Sequence, residues 1–197
     1  DLNPIDHMVI VTDPDSPLDK SARLDGYTVI NADPKVGGRF SALTAFGLVP
    51  AALLGVDPSV LLDAAADAKA QILETEVAID IAYLISSAGQ YLTYCDSPEA
   101  PGLSDWIEQL VAESTGKNGV GRLPVVIESS TAAAGGDAFS IAFGADADLV
   151  ISGELGEQFF LWEWVTALVG AALEIDPFNQ PNVTEAKEAT SALLAEW

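Results

Sequence analysis

The feature that most constrains the fold is the alternation of short β-branched runs with helical stretches along most of the chain. Strands are predicted at the segments MVIVTD (8–13), YTVINADP (27–34), YLTYC (91–95), LPVVIES (123–129), FSIAFG (139–144) and DLVIS (148–152). Helices are predicted at Ser16–Leu24, once or twice within 58–90, and at Ser104–Ser114, Glu157–Leu173 and Asn182–Glu196. Strands separated by helices favour an α/β fold with a mainly parallel sheet flanked by helices.

The charge balance excludes two classes of partner. The chain has 30 acidic and 8 basic residues among 197, which gives a net charge of −22. Such a field repels nucleic acid and anionic membrane surfaces, so we expect neither as a partner. If the ligand is itself anionic, the few cations must be concentrated where it binds.

No segment predicts a membrane span or a secretory signal. The most apolar run, FFLWEWVTALVGAALEI (159–175), is short for a span and is interrupted by Glu163, so we interpret it as a buried core helix. The first residues, DLNPIDHMVI, lack the pattern of a signal peptide. The single cysteine, Cys95, cannot form an internal disulfide and is interpreted as a buried thiol, which favours a reducing, cytoplasmic location.

A glycine pair followed by an arginine, Gly37-Gly38-Arg39, leads into an apolar stretch that predicts a helix kinked at Pro50. Glycines let a ligand approach the backbone closely, and the N–H groups of a following helix attract anions. The guanidinium of Arg39 adds a fixed fork of donors. The segment therefore predicts an anion site, although a solvated arginine before an ordinary helix remains the alternative.

Glu113 is the candidate general base. The helix that begins near Ser104 buries an apolar stripe, and Gln109 and Glu113, four residues apart, share one face at the edge of that stripe. Glu113 also lies in the last helical turn, where the helix dipole disfavours a charged carboxylate, as suits a base. Gly116 ends the helix, which places Lys117 over its last carbonyls or over a ligand. A solvated carboxylate at a helix end is the alternative.

Two further ionisable residues interrupt apolar patterns. Lys187 falls between Val183 and Thr190 in the apolar stripe of the last helix, so it must snorkel, pair with an acid or face a cavity. Glu163 lies among aromatic residues of the run at 159–175, where a hydrogen-bonding structural role competes with a catalytic one.

Three segments in order resemble the signature segments of glucose-6-phosphate isomerase, of the type found in some bacteria and in transaldolase–isomerase fusions. They are VGGRFSALTAFGLVPAAL (36–53), EQLVAESTGK (108–117) and DPFNQPNVTEAK (176–187). The segments VTDPDSPL (11–18) and FFLWEW (159–164) are similar to the same enzymes, so the resemblance extends from Met8 to Trp197. It implies a three-layer sugar-isomerase domain with a mainly parallel sheet flanked by helices.

The resemblance also implies an activity and residue roles. The family interconverts glucose 6-phosphate and fructose 6-phosphate, in glycolysis and gluconeogenesis, through a cis-enediol and without metal or organic cofactor. Glu113 matches its proton-transfer base, and Arg39 matches the arginine that stabilises the enediolate. Lys187, seven residues beyond Gln180, matches the lysine that assists ring opening. The substrate-binding residues implied are Gly37, Gly38, Gln109, Lys117 and Gln180.

Two parts of the family pattern have no counterpart in the chain. A first sugar-isomerase domain with a phosphate-binding segment is absent except for a closing βαβ at 1–34, so residues 35–197 match the second such domain. The family histidine of ring opening is also unmatched, since the single histidine, His7, lies outside every matching segment. We therefore expect a fragment of a longer enzyme, inactive alone and typically part of a homodimer. A non-catalytic sugar-phosphate-binding module and a dimerisation module are the alternatives.

Overall fold

A computed structural model describes residues 2–128 and 138–195 and divides the chain into two compact units. The first unit is Asp1–Thr75 together with Gly153–Glu163, and the second is Glu76–Ser152 together with Trp164–Trp197. The last residue of the predicted strand at 123–129 and the last of the predicted helix at Asn182–Glu196 lie outside the described residues.

The first unit begins with a β-α-β segment that forms a two-stranded parallel sheet. Its elements are a 3₁₀ turn (Pro4–Asp6), β1 (Val9–Thr12), α1 (Pro17–Leu24) and β2 (Thr28–Asn31). The hydroxyl of Ser16 accepts the N–H of Asp19 and so caps α1, while Pro17 stands at the first helical position, where a missing N–H costs nothing. The predicted strand, helix and strand of this segment are confirmed.

A buried carboxylate joins the elements of this segment. Asp19, on α1, accepts hydrogen bonds from Asn31 at the end of β2 (2.9 Å), from Arg23 (2.9 Å) and from the N–H of Asp15 (3.1 Å). The hydrogen bond from Asn31, with those from Arg23 and Asp15, holds the pKa of Asp19 below its usual range. The stabilisation from Asp19 is therefore present at neutral pH and is lost as pH falls through this lowered pKa.

The rest of the first unit differs in one respect from the sequence prediction. Its further elements are a 3₁₀ turn (Gly38–Phe40), α2 (Ala45–Leu53), α3 (Pro58–Glu74) and the start of α6 (Leu155–Ala172). The glycine pair does not lead directly into the apolar helix, because Arg39 lies in the separate 3₁₀ turn. The helix α2 begins only at Ala45, where the hydroxyl of Thr44 accepts the N–H of Phe46 and caps it.

The second unit contains a four-stranded parallel sheet in the order β4-β3-β5-β6. Its elements are α4 (Val77–Ser87), β3 (Tyr91–Cys95), α5 (Leu103–Thr115), β4 (Leu123–Val126), β5 (Phe139–Ala142), β6 (Leu149–Val150), the rest of α6, and α7 (Pro181–Ala195). Because parallel neighbours need crossover connections, the chain passes from β3 through α5 to β4, and later returns to the other side of β3 as β5. The predicted α/β class with a mainly parallel sheet is confirmed.

The central strand β3 is buried along most of its length. Leu92, Thr93, Tyr94 and Cys95 are all buried, as expected for a strand covered on both faces. The predicted buried thiol at Cys95 is confirmed. Further core residues of the second unit come from one face of each neighbouring helix and from β5, among them Ile81, Ile85, Ile107, Leu110, Val111, Ile141, Ala142, Val165 and Val169.

The start of α5 is fixed by a carboxylate at the end of β3. Asp96 accepts the N–H of Gly102 (2.5 Å) and the N–H of Ser104 (2.7 Å), two of the groups that a helix leaves without a partner at its first turn. The negative charge of Asp96 also lies at the positive end of the helix dipole. The position of α5 relative to the sheet is thus tied to the end of the central strand.

The helix α6 is apolar but does not span a membrane. Among residues 2–128 and 138–195, no helix is both long and apolar enough to do so. α6 is also less buried than the sequence suggests, because Trp164 is 42% exposed while Val165 and Val169 are buried. Its apolar run therefore covers one buried face and continues onto the surface.

The end of α6 has the hydrogen bonds of a Schellman motif, with a residue other than glycine at its left-handed position. The N–H of Ile175 donates to the carbonyl of Gly170 (3.0 Å), and the N–H of Glu174 donates to that of Ala171 (3.2 Å). Glu174 has a φ of 56°. The corresponding positions after α1 and α2 are the glycines Gly26 and Gly55, whose φ values are 88° and 91°.

We expect Glu174→Gly to stabilise the protein. A side chain in the left-handed region costs about 1 kcal/mol, which glycine avoids. Urea unfolding followed by far-UV circular dichroism should show a free energy of unfolding higher by about 0.5 to 1 kcal/mol for the transition that includes α6. Glu174→Ala removes the same carboxylate but keeps the strained backbone, so it serves as the control. Equal stabilisation by both substitutions would contradict the explanation.

Candidate active site

The carboxylate of Glu113 is held by two glutamine side chains. Gln109, one turn earlier on α5, donates from Nε2 to Oε1 of Glu113 (3.0 Å), and Gln180 donates from Nε2 to Oε2 (2.9 Å). Gln180 lies 67 residues away in sequence, immediately before α7. The predicted sharing of one helix face by Gln109 and Glu113 is confirmed, and the structure adds Gln180 to the pair.

The same carboxylate lines a pocket of about 150 Å³ within the second unit. Small-molecule sites usually measure about 300 to 1,000 Å³, so the pocket has the size of part of a ligand site. Its lining joins the end of α5 to the beginning of α7: Glu113, Gly116, Lys117, Gln180, Pro181, Asn182 and Val183.

The pocket walls from α7 were not predicted as site residues. Pro181 and Asn182 line the pocket because α7 begins at Pro181, one residue earlier than predicted. The signal was present in the sequence, since proline is favoured at the first position of a helix. With Pro181 as the first helical residue, Gln180 is the residue directly before α7 and lies beside the pocket.

Lys117 lines this pocket, but its ammonium lies on main-chain carbonyls. The side chain is buried (8% exposed), and Nζ donates to the carbonyl oxygens of Asp176 (2.5 Å) and Asn179 (2.7 Å). Substrate contact by Lys117 stays a prediction. The observed contact instead joins the end of α5 to the turn that carries Gln180.

Three further features shape the turn from Glu174 to Gln180. The Pro177 ring packs so closely on α6 that a Cβ at Gly170 would come within 2.8 Å of it. The N–H of Phe178 donates to the side chain of Asp176 (2.9 Å), and the carbonyl of Gln180 accepts the N–H of Thr184 in the first turn of α7 (3.3 Å). The turn is therefore supported at α6, within itself and at α7.

The three candidate residues of the glycine pair segment lie in the first unit. Arg39 is buried (6% exposed), and its guanidinium carbon lies 5.4 Å from the centre of the Phe40 ring. A Cβ built on Gly37 or Gly38 would meet no atom within 4 Å, so the space above both glycines is open. An arginine that is buried is unusual, and its burial argues against the alternative of a solvated side chain.

Lys187 lies in the middle of α7 and is exposed. Every residue of α7 is exposed, including Val183 and Leu194 of the predicted apolar stripe, so the stripe of this helix is not part of the core. Lys187 is not among the residues that line the pocket beside Glu113. Its predicted role in ring opening stays a prediction.

Glu163 is partly buried in α6, and its Oε1 atom has no hydrogen-bond partner within the described part of the chain. Burial raises the pKa of its carboxyl to about 7, because the charged form loses contact with water. The predicted structural hydrogen bond is therefore not observed for this oxygen.

We expect Glu163→Gln to stabilise the protein at pH 8 and not at pH 4. Below the ordinary carboxyl pKa the group is protonated in both states, so the substitution changes little. As pH rises, the unfolded chain ionises first, and the raised pKa in the folded state destabilises the wild type by about 1 to 3 kcal/mol, allowing for partial exposure. Urea unfolding of the wild type and of Glu163→Gln at both pH values measures the difference. Equal free energies of unfolding at pH 8 would contradict a destabilising buried charge at Glu163.

The chain resembles known isomerases in sequence over part of its length. No protein-family model matches it. It is 34% identical to the glucose-6-phosphate isomerase of Heliobacterium modesticaldum over 123 aligned residues, in a match that covers 58% of this chain and 28% of that protein. It is 37% identical to the glucose-6-phosphate isomerase of Listeria monocytogenes over 116 aligned residues, in a match that covers 54% of this chain and 26% of that protein. The matched segment thus spans about a quarter of these curated relatives.

Solved structures extend the likeness of fold to nearly the whole chain. A hypothetical protein from Thermus thermophilus gives a TM-score of 0.79 at 23% identity, over 96% of this chain and 63% of that one. A glucose-6-phosphate isomerase from Chlamydia trachomatis gives 0.76 at 18% identity, over 98% of this chain and 53% of that one. The chain is therefore similar to glucose-6-phosphate isomerases in part of its sequence and in its fold. These two similarities support a relationship to the sugar-isomerase family.

Proposed function

We propose that this chain is the catalytic part of an aldose–ketose isomerase that interconverts glucose 6-phosphate and fructose 6-phosphate through a cis-enediol. The observation that carries the proposal is the carboxylate of Glu113, which borders a pocket while two amide groups fix both of its oxygens. The resemblance in sequence to named glucose-6-phosphate isomerases supports the choice of substrate.

The arrangement suits a base that serves two neighbouring carbons. Each carboxylate oxygen can accept about two hydrogen bonds, and each oxygen of Glu113 accepts one from a glutamine. One acceptor site remains on each oxygen, so the group can take a proton from C2 of the aldose and return it at C1 without turning. Holding the carboxylate in one orientation lowers the entropic cost of each proton transfer.

Two cations complete the proposed chemistry. Arg39 stabilises the negative charge that develops on the sugar oxygens, since a buried guanidinium offers fixed donors. Lys187 donates a proton or hydrogen bond as the sugar ring opens, and its exposed ammonium is free to reach a ligand. Substrate contacts are assigned to Gly37, Gly38, Gln109 and Gln180.

The chain is further proposed to act within a longer enzyme. Among the described residues the first unit holds a sheet of two strands, β1 and β2, which suits β1-α1-β2 as the closing part of a first sugar-isomerase domain. That domain would supply the phosphate-binding segment. Assembly as a homodimer and a cytoplasmic location belong to the same proposal.

The proposal predicts that Glu113→Gln abolishes isomerase activity in the longest native chain that contains these residues. Loss of a general base lowers kcat by about 10²- to 10⁴-fold. A coupled assay from fructose 6-phosphate to glucose 6-phosphate measures the loss, and exchange of the C1 or C2 hydrogen with deuterated water measures proton transfer directly. The isolated chain is expected to show little activity in either assay.

The matched control is Glu108→Gln, which neutralises another carboxylate of α5 that does not line the pocket. Glu108→Gln should retain kcat within about twofold, because it leaves the hydrogen bonds of Glu113 intact. Full activity of Glu113→Gln would show that another residue is the base. A long chain that binds the phosphosugar without turnover would instead support a non-catalytic sugar-phosphate-binding module.

A further inference from the structure

The hydrogen bond between Gln180 and Glu113 joins two segments 67 residues apart, so something must hold the turn before α7 against the end of α5. Gln180 is only half-buried and Glu113 is exposed. A hydrogen bond between two partly solvated side chains contributes little by itself, because water competes for both groups. The position of Gln180 must therefore be set by contacts of the backbone on which it stands.

Lys117 makes a contact that joins these two segments. Its ammonium donates to the carbonyls of Asp176 and Asn179, at opposite ends of one short turn, and Asn179 is the residue directly before Gln180. Lys117 itself follows the last turn of α5, the turn that carries Glu113. One cation thus links the backbone beside the base to the backbone beside the glutamine.

The burial of Lys117 makes this contact strong. An ammonium that is only 8% exposed has lost most of its hydration, so its donors must be satisfied by the protein. Hydrogen bonds from a charged donor are stronger than neutral ones, and a buried pair is little screened by salt. Two of the three donors of the ammonium are used by the turn.

We propose that Lys117 is a positioning residue, whose buried ammonium fixes the turn at 176–179 and thereby holds the amide of Gln180 on the carboxylate of Glu113. Its catalytic consequence depends on the proposed function, whereas its effect on Gln180 does not. Lys117 thus acts through Gln180 and not as a direct ligand of the substrate.

Arg122 provides a matched control within the same unit. Its guanidinium also donates to main-chain carbonyls, those of Ile85 (2.9 Å) and Ser86 at the end of α4. It belongs to the segment between α5 and β4, as Lys117 does, but it makes none of the contacts to the turn at 176–179. Loss of Arg122 should lower stability without moving Gln180.

The test observes the side-chain amide of Gln180 by ¹H–¹⁵N NMR of the chain, with its signals assigned by their absence in Gln180→Leu. Lys117→Met roughly keeps the length of the side chain but removes its donors. In this variant the chemical shifts of the Gln180 side-chain amide should change to those of solvent-exposed glutamine side chains. Exchange of this amide with water should become at least several-fold faster. In Arg122→Met the melting temperature should fall while the Gln180 signals stay unchanged.

A measurement on the unaltered chain covers the case in which Lys117→Met does not fold. The ¹⁵Nζ of Lys117 should give a slowly exchanging ammonium signal with hydrogen-bond couplings to the carbonyl carbons of Asp176 and Asn179. An ammonium signal that is absent or uncoupled overturns the proposal. Gln180 signals that stay in place in folded Lys117→Met overturn it as well.

The catalytic consequence is measured in the longest native chain. Lys117→Met should lower kcat by about 10- to 100-fold with little change in KM, as expected for a misplaced catalytic group. Adding Lys117→Met to Gln180→Leu should lower kcat no further, whereas a merely structural role of Lys117 would give additive losses and unequal effects on KM. Arg122→Met should keep kcat. If NMR shows the coupling but the enzyme has no isomerase activity, the proposed function fails while the positioning role stands.

Discussion

The parallel pairing of β3 with both of its neighbours is the constraint on which the rest of the second unit depends. Parallel neighbours must be joined by crossovers, so α5 has to run from the carboxyl end of β3 back to the start of β4. Asp96, directly after β3, then fixes the first turn of that helix through two N–H groups. The length of α5 decides where its last turn falls, and Glu113 lies in that turn. The position of the candidate base thus follows from the sheet.

Much of this organisation can be predicted from the sequence because it depends on local rules. The alternation of β-branched runs and helical periodicity gives the α/β class, and the pair Ser16 and Pro17 gives the start of α1. The spacing of Gln109 and Glu113 places both on one face of α5, as the structure has them. Each of these features needs information from only a few neighbouring residues.

The features that sequence reasoning missed depend on contacts between distant segments or on rare conformations. Nothing near Lys117 indicates that its ammonium belongs to carbonyls some 60 residues later. Glu174 occupies a left-handed position that sequence rules reserve for glycine, so the cap of α6 lacks the usual glycine signal, although the helix end was predicted within one residue. The glycine pair suggested a direct start of α2, but Arg39 lies in its own 3₁₀ turn. The apolar stripe of α7 predicted burial, yet that helix is exposed along its whole length.

The capping of α5 by Asp96 also determines what kind of ligand group this helix can attract. Helix amino ends commonly bind phosphate, but the amino end of α5 already holds a carboxylate of the same chain, which repels a second anion. Its carboxyl end, which is the negative end of the helix dipole, borders the pocket beside Glu113. That end attracts hydrogen-bond donors. The two ends of α5 therefore differ in the ligand groups that they favour, because anions are disfavoured at the first end and hydrogen-bond donors are favoured at the second.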